Sequence, residues 1–244
     1  MDVGQIAQII DYQFTDPSLL IRACTHSSYD PTFNNGALET LGDLTLGLHV
    51  GSLIYDTDPE NITECHIHTL KSVNVDNENL ARACVRNGLD QHLMHGDVNE
   101  VNREVLKLRQ QMLDYPIHSN GRIDEPKFLA DMVEAIIGAV WVDSQKNLAT
   151  TGHVIGKILG NLNIEYENYR QKPTEQLWSS SSVKARFNLL EKMDCQDGNP
   201  RCRIIMNNNQ VIADVRYSGS RKVLRNRAAS DAIQYLRDHH GLQI

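Results

Sequence analysis

Two carboxylates four residues apart inside an apolar segment constrain this chain more than any other feature. The segment is Leu38-Glu39-Thr40-Leu41-Gly42-Asp43-Leu44-Thr45-Leu46-Gly47-Leu48. At helical pitch, residues i and i+4 stack on one face, so Glu39 and Asp43 point together. Leu41, Leu44 and Leu48 cover the opposite side, while Leu46, Val50, Leu53 and Ile54 follow on the carboxylate side. A helix that is apolar nearly all round is expected to be buried. Two charges at the start of such a helix are costly without a cation or a hydrogen-bond network. The rival reading is a solvated helix end that happens to carry two acids.

A second acidic pair lies in Phe128-Leu-Ala-Asp131-Met-Val-Glu134-Ala-Ile-Ile-Gly-Ala-Val-Trp-Val-Asp143. Leu129, Met132, Val133, Ile136, Ile137 and Val140 form one helical stripe, and Asp131 and Glu134 share the other side. Four carboxylates on two helices can converge on one hard cation, because Mg²⁺ takes oxygen ligands and keeps several waters. Such a site polarises a phosphodiester, lowers the pKa of a bound water and stabilises a leaving oxygen. Spacing alone leaves two solvated helix faces as the alternative, since it does not require the helices to meet.

The net charge of −7 argues against a nucleic-acid partner until its distribution is read. From Lys172 onward there are 12 Lys and Arg against 7 Asp and Glu; residues 1–171 carry 12 basic and 24 acidic residues. An acidic body with a basic tail is a two-part chain whose tail is the candidate polyanion contact. No apolar run approaches the roughly 18 residues of a membrane span. The N-terminus lacks the basic start and apolar core of a secretory signal. Five scattered cysteines without a CxxC pair are expected to be reduced thiols in an intracellular compartment, nucleus or cytoplasm. Cys65, His66 and His68 lack the fourth ligand that a closed zinc site needs. The chain contains neither a GxxxxGK[ST] phosphate loop nor a GxSxG elbow.

Periodicity predicts helices over Val3–Tyr12 and Leu19–Cys24 around the Asp16-Pro17 turn, and one helix over His68–Asn87 ended by Asn87-Gly88. A further helix is expected over about Glu100–Leu113, followed by a long loop. Near the C-terminus, Val183–Met193 reads as an amphipathic helix, and Arg203–Met206 and Val211–Tyr217 as strands around the loop Asn207–Gln210. This gives α-β-β-α with room for one more strand. The last helix starts near Ser220, a plausible N-cap, and runs on through Ile233. Arg221, Lys222 and Arg225 fall in its first turns, where cations oppose the macrodipole but join the helix amides in attracting phosphate. A solvated basic face is the alternative. His239 and His240 are expected in a frayed, solvated end.

Leu38–Leu48 resembles the ribonuclease III signature, and FLADMVEAIIGAVWVDS is similar to that family's second acidic segment. Cys24-Thr-His-Ser-Ser-Tyr29 resembles the motif before the signature, and His66–Ala83 the helix between the two acidic segments. Tyr115–Lys127 points to the plant ribonuclease III-like proteins. The similarity spans about residues 3–165. It implies an all-helical endonuclease domain over 1–165 that forms a homodimer and cuts double-stranded RNA with Mg²⁺, for which Mn²⁺ can substitute. By position, Glu39, Asp43, Asp131 and Glu134 would be the catalytic, metal-binding acids, Glu64 a further metal candidate and Lys71 a further RNA contact. One departure is Gly36, where bacterial members usually carry a Glu.

Ser220-Arg-Lys-Val-Leu-Arg-Asn-Arg-Ala-Ala229 resembles the last-helix motif of double-stranded-RNA-binding domains, which read A-form shape through phosphate and 2′-OH contacts. The match implies such a domain over 172–244, of α-β-β-β-α type, with Ser220, Arg221, Lys222 and Arg225 at phosphates. Its departure is the missing Gly-Pro-x-His type hairpin, in whose place an Asn-rich turn is expected. The whole chain is therefore expected to be α+β and to hydrolyse duplex RNA through a metal-activated water. The alternative is a catalytically inactive ribonuclease III-fold protein acting as an RNA-binding or ribosome-associated component.

Overall fold

A computed structural model of the chain describes residues 1–162, 164, 171–196, 198–207 and 209–242. The chain divides into two compact units, one from residues 1–118 and 125–169, the other from 119–124 and 170–244. No helix among the described residues is long and apolar enough to cross a membrane. All five cysteines are free thiols.

The first unit is helical: α1 Val3–Ile10, α2 Pro17–Ala23, α3 Gly36–Tyr55, α4 Glu64–Asn74, α5 Asn77–Arg86, α6 Val98–Asp114, α7 Lys127–Asp143 and α8 Leu148–Leu159. Local chemistry sets most starts. Asp2, Asp16, Asp76, Asp97 and Asn147 each accept a backbone N–H with their side chain, as N-cap residues do, and Pro17 stands where its missing N–H costs nothing. The single helix expected over His68–Asn87 is two helices. Asp76 caps Asn79 and thereby starts α5, and its carboxylate also holds His118 at 2.9 Å. Local capping outweighs a continuous apolar period here. The end at Asn87-Gly88 is as expected, with Gly88 in the left-handed region.

The core of this unit is α7, buried on every side from Leu129 to Val140. α3 crosses it at a pair of glycines. A Cβ at Gly42 would collide with the Glu134 carbonyl, and one at Gly138 with the Leu38 carbonyl. The two backbones therefore touch, and no other residue type fits either place. α3 is not buried all round: Leu38, Leu46, Val50 and Ile54 are interior, but Leu44 is 64% and Leu48 56% exposed. The apolar period that predicted burial instead records two faces, one packed against α7 and one left to solvent.

The second unit contains α9 Pro173–Ser179, α10 Ser181–Arg186, β1 Leu189–Gln196, β2 Asn199–Met206, β3 Gln210–Arg216 and α11 Arg221–His240. The strands form an antiparallel sheet in the order β1-β2-β3. The helix expected over Val183–Met193 ends at Arg186, and Leu189 onward is the additional strand. Pairing with β2 decides this, and as a strand Leu189, Glu191 and Met193 face one side while Leu190, Lys192 and Asp194 face the other. Register supports it, with Leu189 opposite Met206, and Asp194 bonded to Arg203 at 2.6 Å. Cys202, Ile204, Ile212 and Ala213 of the sheet pack against Leu224, Ala228, Ala229, Ala232 and Leu236 of α11. This is the α-β-β-β-α arrangement. The first hairpin accordingly turns after Gln196 at Gly198 (φ 71°), and Asn207–Gln210 is the second. Asp197 and Asn208 lie outside the described residues. His239 stacks on Tyr235 and His240 meets Phe187 edge-on, so the end of α11 is anchored rather than frayed.

Residues 119–124 complete this unit. Asn226, 2% exposed, donates to the Gly121 carbonyl at 3.1 Å, and Arg227 Nε donates to the Arg122 carbonyl at 2.8 Å. Asp124 accepts from the Tyr217 hydroxyl at 2.7 Å and from the Ser220 amide at 3.2 Å.

Candidate metal centre and nucleic-acid interface

The glycine crossing sets the acids side by side. Glu39 sits in the first turn of α3, Asp131 and Glu134 one and two turns into α7, and carboxylate oxygens of the three lie within 4.8 Å of one another. Asp131 and Glu134 are under a tenth exposed. Asp43 is exposed and outside this close set, yet its charge acts on Glu134. Glu64 is not in the set. It lies in the first turn of α4, solvated, with His68 at 3.7 Å.

Like charges forced together in a desolvated place hold protons at pH values where ordinary carboxyls do not. Burial, then the charges of Asp43, Asp131 and Glu39, push the Glu134 carboxyl up to about 8. Burial also raises Asp131, with Lys127 acting against it. Lys127 is the residue that sequence reasoning missed. Its ammonium donates to Glu39 at 3.0 Å and to Asp131, bridging the two helices at their open end, and this pairing raises its pKa despite desolvation. The available signal was its place four residues before Asp131, one turn back on the same face.

The donor set fits a hard divalent cation. It is all oxygen, has two to four anionic groups, opens to solvent on one side, and already draws in the Lys127 ammonium. Glu39, Asp131 and Glu134 would hold the ion directly, and Asp43 is placed to join through its charge or a water.

The histidines of α4 serve other ends: His66 closes a capping box with Thr63, and His68 pairs with Glu64. Lys71, on the same helix, lies along α3, with Nζ 3.8 Å from where a Gly47 Cβ would stand. It lines an open cavity of about 470 Å³ with Gly47, Leu48, Gly51, Tyr55 and Ile67, beside the exposed leucines.

In the second unit, Ser220 is the N-cap of α11: its hydroxyl accepts from Val223 N, and its own amide is taken by Asp124. Arg221, Lys222 and Arg225 line a cavity of about 480 Å³ together with Lys172, Glu175 and Glu191. Arg225 is engaged by Glu191 of β1 in a two-pronged pair, Nε at 2.6 Å and Nη2 at 3.0 Å. Arg221 and Lys222 are exposed.

The family model for the Ribonuclease III domain matches residues 36–145, which contain all four acids and Lys127. Ribonuclease 3-like protein 3 of Oryza sativa subsp. japonica is 30% identical over 98% of this chain and 80% of its own length. Endoribonuclease Dicer homolog 2b of the same plant is 34% identical over 59% of this chain, though that stretch is 11% of the larger protein. Among solved structures, the nuclease domain of ribonuclease III from Campylobacter jejuni, described there with a region involved in dimer formation, superposes with a TM-score of 0.52. It is 26% identical and covers 66% of this chain and 100% of its own. The chain therefore belongs to the ribonuclease III family and carries that family's endoribonuclease domain.

Proposed function

We propose that this protein is a divalent-metal-dependent endoribonuclease that cleaves double-stranded RNA as a homodimer, with Mg²⁺ as the cation and Mn²⁺ as a substitute. The observation that carries this reading is the convergence of Glu39, Asp131 and Glu134 at a crossing where burial holds Glu134 protonated up to about pH 8. A structural role does not call for three acids in one desolvated place; a cation does.

A bound metal supplies a water of lowered pKa and positive charge for the leaving 3′ oxygen. The chain's own residues do the rest. Glu39, Asp131 and Glu134 offer one oxygen each, from two helices whose spacing is fixed by backbone contact. Asp43 adds a fourth negative charge at the open edge. Lys127 neutralises Glu39 and Asp131 while no metal is bound; displaced, it leaves a cation at the rim, where a phosphate would arrive. One set of acids serves one strand, so a paired cut needs a second copy. Leu44 and Leu48, exposed beside the cavity next to Lys71, offer a self-complementary apolar face for it.

Duplex capture belongs to α11. Arg221 and Lys222, both exposed, would meet phosphates, with Ser220 at the helix start and Arg225 behind its carboxylate partner. Lys71 and Glu64 are proposed only as outer contacts on the same face of the nuclease unit, for RNA and for the ion.

The test is direct: incubate the purified chain with long duplex RNA, with Mg²⁺ and with EDTA. Endonucleolytic cuts that require the cation are expected. A chain that binds duplex but leaves it intact under every divalent cation tried would instead be an inactive RNA-binding member of the family.

A further inference from the structure

The first turn of α7 has a task that its own sequence leaves unsupported. It carries Lys127, and Asp131 follows one turn later, but its N-cap is Pro126, which offers no side-chain cap. The neighbouring carboxylates repel one another. Leu129 and Ala130 anchor the buried side of this turn, and its open side, which carries Lys127, is set by contacts from outside the helix.

Two loops reach it. Residues 24–28 and 94–97 are joined as a short parallel bridge, Thr25 to Met94, with His26 N donating to the Met94 carbonyl at 2.9 Å and Met94 N to the Cys24 carbonyl at 2.8 Å. Ser28 locks them again: its hydroxyl accepts from Gly96 N at 3.0 Å and donates to His26 Nδ1 at 2.7 Å. His26 Nδ1 also meets Ser28 N, and His95 Nδ1 faces both the amide and the carbonyl of Asp97 at 3.1 Å, so backbone groups orient both rings. The imidazoles stack, centroids 4.5 Å apart and planes 28° apart. His95, 9% exposed, then meets the ring of Phe128 at 5.4 Å, one residue past Lys127.

We propose that His26, His95 and Phe128 form a positioning stack that fixes the first turn of α7 and so sets where Lys127 and, one turn on, Asp131 stand beside Glu39. The inference rests on the ribonuclease reading for its catalytic consequence, but not for the geometry. Rings in contact, one pair stacked and the other tilted by 44°, resist sliding. A displacement of about 1 Å at a reacting centre costs on the order of 100-fold in rate.

The full-length chain tests it with three variants, read for cleavage at saturating Mg²⁺ and for Mn²⁺ affinity. His95→Ala should lower kcat about 10- to 100-fold, with KM within about threefold of wild type. His95→Phe keeps a flat ring, loses the polar nitrogens, and should return kcat to within about fivefold. Phe128→Leu keeps apolar bulk, removes the ring, and covers the case in which His95→Ala does not fold; it should behave as a milder His95→Ala. Wild-type kcat in His95→Ala, or His95→Phe no better than His95→Ala, overturns the stack. If the wild-type chain does not cut RNA, the ribonuclease reading has failed and Mn²⁺ affinity decides alone. A weakening of about tenfold in His95→Ala that His95→Phe reverses supports the stack, and unchanged affinity overturns it.

Discussion

The acidic crossing in the first unit and the basic helix start in the second are both clusters of like charge, and they are built in opposite ways. At the crossing, burial and backbone contact press Glu39, Asp131 and Glu134 together, with Lys127 inserted between Glu39 and Asp131. At α11, the cations stand apart in water, and Arg225 is already neutralised by Glu191. The first arrangement is costly without an added ion; the second is comfortable without a ligand. A cluster that the fold must strain to assemble is the stronger evidence of chemistry. A cluster that the fold satisfies internally sets affinity and its salt dependence rather than bond cleavage.

The contrast is broken most severely at Glu134. Glu134→Gln keeps shape and removes one anionic ligand, so cleavage should fall by several orders of magnitude while duplex binding persists, as gel shift in Ca²⁺ or EDTA would show. Near-wild-type cutting would sink the metal assignment. Next in size is the leucine face of α3. Leu44→Glu places a charge on a surface that is 64% exposed in one chain, so the monomer should stay folded while the dimer is lost. Sedimentation at micromolar concentration should drop from about twice 27.6 kDa to the monomer, with paired cuts replaced by nicks. A monomeric wild type that already makes paired cuts refutes this.

The third expectation concerns proton linkage in the metal-free chain. Glu134 titrates at about 8 in the fold against an ordinary 4.5, so between those values the folded state holds a proton that the unfolded state has released. The contribution of Glu134 to stability is thus full below about 4.5 and is lost as pH rises through 8, by at most about 5 kcal/mol. Urea titrations in EDTA at several pH values should show the fall, Mg²⁺ should flatten it, and Glu134→Gln should reduce it. A rise in stability over this window contradicts the strained-cluster picture.

The smallest effects sharpen the other side of the comparison. Replacing Arg221 and Lys222 by Ala should weaken binding equally for unrelated duplexes and make the plot of log affinity against log salt shallower by about two counterions. Glu191→Gln should do the reverse, steepening the slope by about one as Arg225 is released to phosphate. If neither slope moves, α11 is only a solvated basic face.

What could be read in the sequence follows the range of the interactions. The four acids, the two long apolar helices and the capped start of α11 are local patterns, visible at i+3 and i+4 spacing. The strand Leu189–Gln196 was hidden because Leu189, Leu190 and Met193 satisfy a helical period as well as a pleat, and only pairing with Asn199–Met206 decides between them. The break at Val75-Asp76 was hidden because the apolar stripe runs across it. Lys127 was overlooked because its meaning comes from Glu39, 88 residues away. The exposure of Leu44 and Leu48 is equally long-range: α7 covers one side of α3, and the period alone does not say which sides are covered.

The backbone contact at Gly42 and Gly138 has a consequence for tolerance. Ordinary cores absorb a lost or gained methyl group by repacking side chains. Here there are no side chains to repack, so the gap between the two acid-bearing helices has a single value. An added methyl group at either glycine would push the helices apart along their whole contact and move Glu39 away from Asp131 and Glu134 together. The protein could then remain helical, with α11 untouched, and still be unable to bring its three carboxylates together. In this family member, the gauge for the acidic cluster is a pair of absent atoms.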